Sequence, residues 1–251
     1  MSYLAVSALV FVIACVFSML GLGGALLYIP LFKWFGFDFK TVAIPTGLFL
    51  NGITALSAAV YYLRAGMVDV RGAVPMALAS LVGAPIGAYF THFVSSEKLV
   101  LFFAMAMFIA GARMLLVSSQ PEPKKLLSYT KRVFIASVAS FFIGFLAGFL
   151  GIGGGFLFVP LLIALGYPTK QAAATCALIV VFSSFSGFLG HAVEGRFEPK
   201  LLLLATFAVI AGSQLGARIM RHKMKAKWIK RLFGLVLIVV ALKLGLKVVL
   251  K

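Results

Sequence analysis

The stretch Gly21-Leu-Gly-Gly-Ala-Leu-Leu-Tyr-Ile-Pro30-Leu-Phe returns 130 residues later as Gly151-Ile-Gly-Gly-Gly-Phe-Leu-Phe-Val-Pro160-Leu-Leu. At the same spacing Gly36 meets Gly166 and Lys40 meets Lys170. One residue closer, Gly83-Ala-Pro-Ile-Gly87 meets Gly212-Ser-Gln-Leu-Gly216. A shared frame of glycine, proline and lysine is hard to obtain by chance, so the chain reads as an internal duplication. Each copy of the glycine motif ends one long apolar run and opens a short one.

Composition sets the solvent in which this duplication folds. Of the 251 residues, 63% are apolar and only 12% charged, with 25 Phe, 25 Gly and a mean hydropathy of +1.11. A soluble domain carries about twice that share of charge and cannot hide so much apolar surface. An integral membrane protein follows, and a disordered chain or an ordinary soluble enzyme is excluded. The net charge of +17 comes from 23 bases against six acids. The bases sit between apolar runs and form no basic stripe, so they read as cytoplasmic-loop charge, not as a nucleic-acid surface. Attraction of anions is a second effect of the same charge. Cys15 and Cys176 lie inside apolar runs and read as buried packing residues.

Apolar runs cover 3–20, 41–63, 70–92, 98–117, 131–150, 170–192, 200–221 and 230–250, with short runs at 24–35 and 154–165. Residues 1–10 contain no Lys or Arg and no cleavage motif follows, so the first run is expected to stay as a helix. The twelve-residue runs span about 18 Å, roughly half the hydrocarbon core, and are expected to be half-helices. If each half-helix turns back, fifteen bases fall on one side of the membrane and eight on the other. If each extends the preceding run, the bases divide almost evenly. The positive-inside rule therefore selects hairpins. The expected fold is an all-α polytopic membrane protein of two inverted repeats, each a Gly-rich broken-helix hairpin followed by three spanning helices. The first repeat covers 1–117, a polar cytoplasmic linker 118–131, and the second repeat 132–251.

Glycine permits left-handed backbone and close approach at the two turns. Each turn opens a short helix, whose first N–H groups lack intrahelical partners and carry partial positive charge. Such a terminus binds anions without a charged side chain, and paired broken helices are a known way to build a transporter site. The candidate backbone donors are Gly21, Gly23, Gly24 and Ala25, and Gly151, Gly153, Gly154 and Gly155. The plainer alternative is that these glycines only let helices pack closely.

Asn51, Thr54 and Ser184 are the candidate side-chain donors inside spans, Asn51 being the costliest to bury. A hydroxyl bonded to its own helix carbonyl is the plainer reading for Thr54 and Ser184. A side chain at Gly154 is expected to block an approaching anion, whereas Gly144 is expected to be an ordinary packing glycine. No acid sits mid-span, which argues against a carboxylate relay. His191, at a span end, is a proton-carrier candidate with a structural default. There is no zinc motif, carboxylate pair or nucleophile with a base at membrane depth, so no enzymatic activity and no cofactor or metal is expected.

Two halves that each contain an apolar run, a Gly-x-Gly-Gly turn and a downstream Pro-Leu resemble the sulfite exporter TauE/SafE family, also called the toluene sulfonate uptake permease family. The resemblance covers most of the chain and is most specific at Gly151–Pro160 and its echo Gly21–Pro30. It implies transport of sulfur-containing anions such as sulfite, thiosulfate or organosulfonates. Ala25 departs from the glycine triplet, so the two half-sites are expected to bind unequally. The expected function is secondary transport of a small oxyanion in a cell membrane of prokaryotic inner-membrane type. The alternative is an anion channel using the same loops as a filter. Expected partners are the anionic substrate and the lipid bilayer, with homo-oligomerisation left open and no nucleic acid.

Overall fold

A computed structural model describes residues 3–118, 128–193 and 195–249. Among the described residues there are ten α-helices and no strand. They are α1 Tyr3–Met19, α2 Ala25–Trp34, α3 Ile44–Arg64, α4 Val70–Phe90 and α5 Ser96–Val117 in the first half. In the second half they are α6 Tyr129–Leu150, α7 Gly155–Ala164, α8 Thr169–Ala192, α9 Pro199–Lys223 and α10 Ala226–Val249. Every apolar run in the sequence becomes one of these helices. The expected linker lies largely at 119–127, outside the described residues, and α6 already begins at Tyr129.

Glycines end the helices at both turns. Gly21 and Gly151 are left-handed, with φ of 71° and 72°. The next N–H then reaches back into the last turn: Leu22 to the Phe17 carbonyl at 3.0 Å, and Ile152 to that of Ala147 at 2.9 Å. This Schellman closure satisfies the last carbonyls of a helix that stops inside the protein. α2 and α7 are each ten residues long, about 15 Å. α2 starts beside Asn51, half-way along the Phe39–Arg64 span, and ends next to the start of α3. α7 starts beside Ser183 and Ser184 and likewise leads back to the start of α8.

Helices from the two halves interlock. α3 and α8 cross antiparallel at the centre, with Leu48 against Gly187 and Asn51 against Ser184. α4 and α6 run parallel with backbones almost touching: a Cβ on Gly144 would lie 2.7 Å from Ser80 Cα, and one on Gly148 2.9 Å from Ala84 Cα. α1 and α9 repeat this contact, Gly212 facing Phe11 and Gly216 facing Cys15. Small residues admit this close approach where lipid supplies no hydrophobic drive between helices. Gly144 is therefore part of a helix–helix seam and not a neutral position, because even a methyl group there meets backbone.

Polar pairs repeat between the halves, 130 residues apart at Lys40 and Lys170 and 129 apart from the start of α3 onward. Lys40 donates to the Val94 carbonyl at 2.9 Å beyond the end of α4, and Lys170 to the Arg221 carbonyl at 3.0 Å near the end of α9. Tyr62 donates to the Ser18 carbonyl at 2.8 Å, and His191 Nε2 donates to the Gly148 carbonyl at 2.9 Å. His191 thus ties the end of α8 to the end of α6, which is the structural role. Ser57 Oγ reaches the Ile210 carbonyl at 3.4 Å, as Ser186 Oγ reaches that of Leu81 at 2.6 Å.

Candidate functional site

The two glycine turns meet between α3 and α8. A Cβ on Gly21 would strike the backbone of Ala173, and one on Gly151 would lie 2.6 Å from Ile44 Cγ2. Gly155 packs on Leu22, where a Cβ would come within 2.8 Å of the Leu22 backbone. Gly23, Gly153 and Gly154 are left-handed, at φ of 80°, 71° and 74°. Gly24 is not: its φ is extended, and glycine is required there because a Cβ would enter the Tyr28 ring. All eight candidate backbone positions are buried and lie in this one region.

Asn51 joins the halves. It is fully buried, and its Oδ1 accepts from the N–H of Gly24 and, at 2.7 Å, from that of Ala25. Its Nδ2 donates to Ser184 Oγ at 2.6 Å. The carboxamide oxygen therefore occupies the N-terminus of α2 in the way an anion's oxygen would, instead of pointing a donor at a substrate. At the spacing of 129 that relates α3 to α8, Asn51 corresponds to Val180, which offers no acceptor. Gly154, at the N-cap of α7, has no side chain to cap it, and among the described residues no other side chain takes the place that Asn51 takes on α2. The two helix termini differ through Asn51 and not through Ala25: the Asn51 oxygen fills the terminus of α2, and among the described residues no side-chain oxygen fills that of α7.

Thr54 lies one turn from Asn51 and follows the plainer reading. It donates to the Leu50 carbonyl at 2.7 Å, so the Tyr28 hydroxyl, 3.0 Å away, donates to it. Its own proton is used within α3. Ser183, absent from the expected site, donates to the Gly153 carbonyl at 2.7 Å and fixes the second turn. Cys176 Sγ lies 3.6 Å from the Gly155 carbonyl. Tyr28 stood inside the quoted motif, but its role depends on a contact with α3 that the motif does not contain.

Substituent direction separates the glycines. A Cβ on Gly154 would point at Ala147 Cβ, 2.9 Å away, and at Phe158, 3.0 Å away. It would not enter the polar centre, so the expected blocking position is corrected. Gly153 and Gly23 are the glycines whose Cβ would meet the Asn51 amide. The groups gathered here are neutral donors and backbone, with no acid or base among them.

The sequence profile of the sulfite exporter TauE/SafE family matches residues 6–244. The chain belongs to the sulfite exporter TauE/SafE family. It is 28% identical to the probable membrane transporter protein YunE of Bacillus subtilis, covering 97% of each chain. It is 23% identical to the probable membrane transporter protein MJ0441 of Methanocaldococcus jannaschii, over 92% of this chain and 91% of the relative. A shorter match, 34% identical over 84 residues, links it to the sulfite exporter TauE/SafE family protein 3 of Arabidopsis thaliana, over 33% of this chain and 17% of that one. No solved structure matches it. Family membership and the long apolar helices make the chain an integral membrane protein of a transporter family, not an enzyme.

Proposed function

We propose that the protein is a secondary transporter of a small oxyanion, sulfur-containing as in sulfite, thiosulfate or a sulfonate. The anion is taken up near the bilayer midplane between the N-termini of α2 and α7. The observation that carries this reading is that two half-length helices from different halves begin at one buried point, among neutral donors. That is the arrangement in which backbone dipoles stabilise an anion without a compensating base. The name of the Arabidopsis relative supports the sulfur chemistry. The antiparallel crossing of α3 and α8 supports inverted repeats, and the uneven division of the bases supports cytoplasmic placement of Arg64, Arg132 and Arg221.

Purified protein in liposomes, offered labelled sulfite, sulfate, thiosulfate, a sulfonate and chloride in turn, tests the proposal. Saturable counterflow of one or more sulfur oxyanions, not competed by chloride, is the expected result. Large unsaturable chloride currents would establish a channel instead. Absence of any anion flux from folded protein would end the reading.

A further inference from the structure

The two ends of the molecule are fastened differently. At the end bearing Arg64 and Arg221, Asp69 from the first half is gripped by the second half. Its Oδ2 accepts from the Tyr167 hydroxyl at 2.7 Å and from Arg132 Nη2 at 3.3 Å. Its backbone N–H donates to Thr175 Oγ1 at 3.1 Å, while its Oδ1 caps α4 by accepting from the Gly72 N–H at 3.0 Å. The Arg132 guanidinium also lies over the Tyr167 ring, 4.9 Å from its centroid. Arg132 is only 8% exposed, so this ion pair is largely shielded from water. Burial, and then the Asp69 carboxylate, hold the Tyr167 phenol well above its ordinary value, so it remains a donor.

The opposite end carries the corresponding positions without this chemistry. Asp69 corresponds to Glu198, Tyr167 to Phe37 and, at the offset of 129 that holds from the start of α3, Thr175 to Thr46. Phe37 has no hydroxyl, the buried Thr46 hydroxyl makes no hydrogen bond among the described residues, and Glu198 is exposed and does not cap α9. Among the described residues, the two halves meet there through the Arg196 N–H to Thr41 carbonyl bond of 2.8 Å and the Thr91 hydroxyl to Phe149 carbonyl bond of 2.9 Å. The exposed Asp38 also lies in the field of Arg196. Among the described residues, the first end is thus closed by a shielded ion pair and two hydroxyl bonds between the halves, the second by one backbone bond, one hydroxyl bond and an exposed charge pair.

We propose that Asp69, Tyr167, Arg132 and Thr175 form a latch between the two halves that keeps the Arg64/Arg221 end of the transport path shut. Opening toward that side requires Asp69 to leave Tyr167 and Arg132, whereas among the described residues opening toward the other breaks no shielded ion pair between the halves. The latch is separate from the anion reading, because it lies near one membrane face and invokes no substrate. Its state has a native reporter. Cys176 follows Thr175 directly on α8 and is fully buried, with Sγ against the Gly155 carbonyl. It lies between the latch and the glycine turns, so it becomes reachable from the latched end only when that end opens.

The test uses the full chain with Cys15→Ala, leaving Cys176 as the only thiol. A membrane-impermeant maleimide is applied from either face, in sealed vesicles of both orientations. Tyr167→Phe and Asp69→Asn should each speed Cys176 labelling from the Arg64/Arg221 face by roughly tenfold or more. That is the scale of one hydrogen bond to a charged group. Labelling from the other face should change less than twofold. Tyr167→Phe keeps the ring and loses only the hydroxyl, so it decides the matter if Asp69→Asn does not accumulate. An unchanged rate in folded Tyr167→Phe would overturn the latch. So would an equal rise from both faces, which signals general loosening and not the opening of one mouth. Either outcome leaves the anion proposal to stand or fall on the flux panel.

Discussion

Replacing Asn51 by Asp puts the central proposal to its sharpest test. The substitution exchanges one NH2 for an oxygen and leaves the shape alone. The N-terminus of α2 keeps its cap, because Asp serves as well as Asn there and the helix dipole favours the added charge. Ser184, which now accepts from Nδ2, can turn its hydroxyl to donate to the new oxygen. A bound anion, however, would sit beside a fixed carboxylate. For charges about 6 Å apart at an effective dielectric constant near 20, the repulsion is about 3 kcal/mol, or roughly 100-fold in affinity. Counterflow of labelled sulfate or of a sulfonate reads the affinity, and thermal unfolding in detergent reads the fold. Both probes stay ionised as the pH falls, whereas protonating the introduced carboxyl removes the repulsion. Affinity should therefore fall steeply at high pH and recover toward that of the parent protein at low pH. Folded Asn51→Asp with affinity within twofold of the parent at every pH would refute the site between α2 and α7.

Four further outcomes follow from the packing and topology. Gly148→Val should prevent accumulation of folded protein, since its Cβ meets the Ala84 backbone and overpacking costs about 1–3 kcal/mol; normal yield and thermal stability would contradict the α4–α6 seam. Lys40→Met and Lys170→Met should each lower stability by about 0.5–1 kcal/mol, read as a small fall in unfolding temperature, by stripping a cation from carbonyls near the end of a helix. Cysteines placed at Arg71 and Lys225 should label from the cytoplasm and those at Lys98 and Lys200 from outside; any other division would sink the inverted topology. Raising the pH from 6 to 9 should not speed Cys176 labelling. A phenol held above its ordinary value stays protonated below about pH 10, so its bond to Asp69 is lost only above that range.

The helices and their breaks were legible because membrane helices are dictated by local composition and glycine placement. Gly21 and Gly151 announced the stops, and the half-length of the runs that follow announced the turn back. Asn51 was legible as the residue hardest to bury, but not as a cap. Its partners Gly24 and Ala25 lie a whole helix away in sequence, and the direction of one amide oxygen is a tertiary fact. The direction of Gly154 was hidden for the same reason: backbone freedom can be read from residue type, but where a Cβ would point cannot. Asp69 was dismissed with the other acids as a span-end charge. Nothing in its own neighbourhood shows that Arg132, Tyr167 and Thr175 come to meet it from the other half.

Which pairs the halves share, and which they do not, bears on how such a molecule works. Lys40 and Lys170, Tyr62 and His191, and Ser57 and Ser186 make equivalent bonds in both halves, and all of them tie helix to helix. The differences fall at the centre, where Asn51 stands opposite Val180 and Tyr28 opposite Phe158, and at one mouth, where Tyr167 stands opposite Phe37. In a molecule built of two identical inverted halves, exchanging the roles of the halves would exchange the two faces, and the two open states would have equal free energy by symmetry. Any preference between faces must come from residues that differ between the halves. The scaffold pairs cannot supply it because they cancel. The Asp69 latch does not cancel, since it adds a shielded ion pair and two hydroxyl bonds to one closed mouth only. The anion-like cap on α2 does not cancel either, because among the described residues it leaves α7 as the helix terminus without a side-chain acceptor. Under the proposed transport mechanism the duplicated frame gives two comparable states, and these few divergent residues decide which face opens at rest.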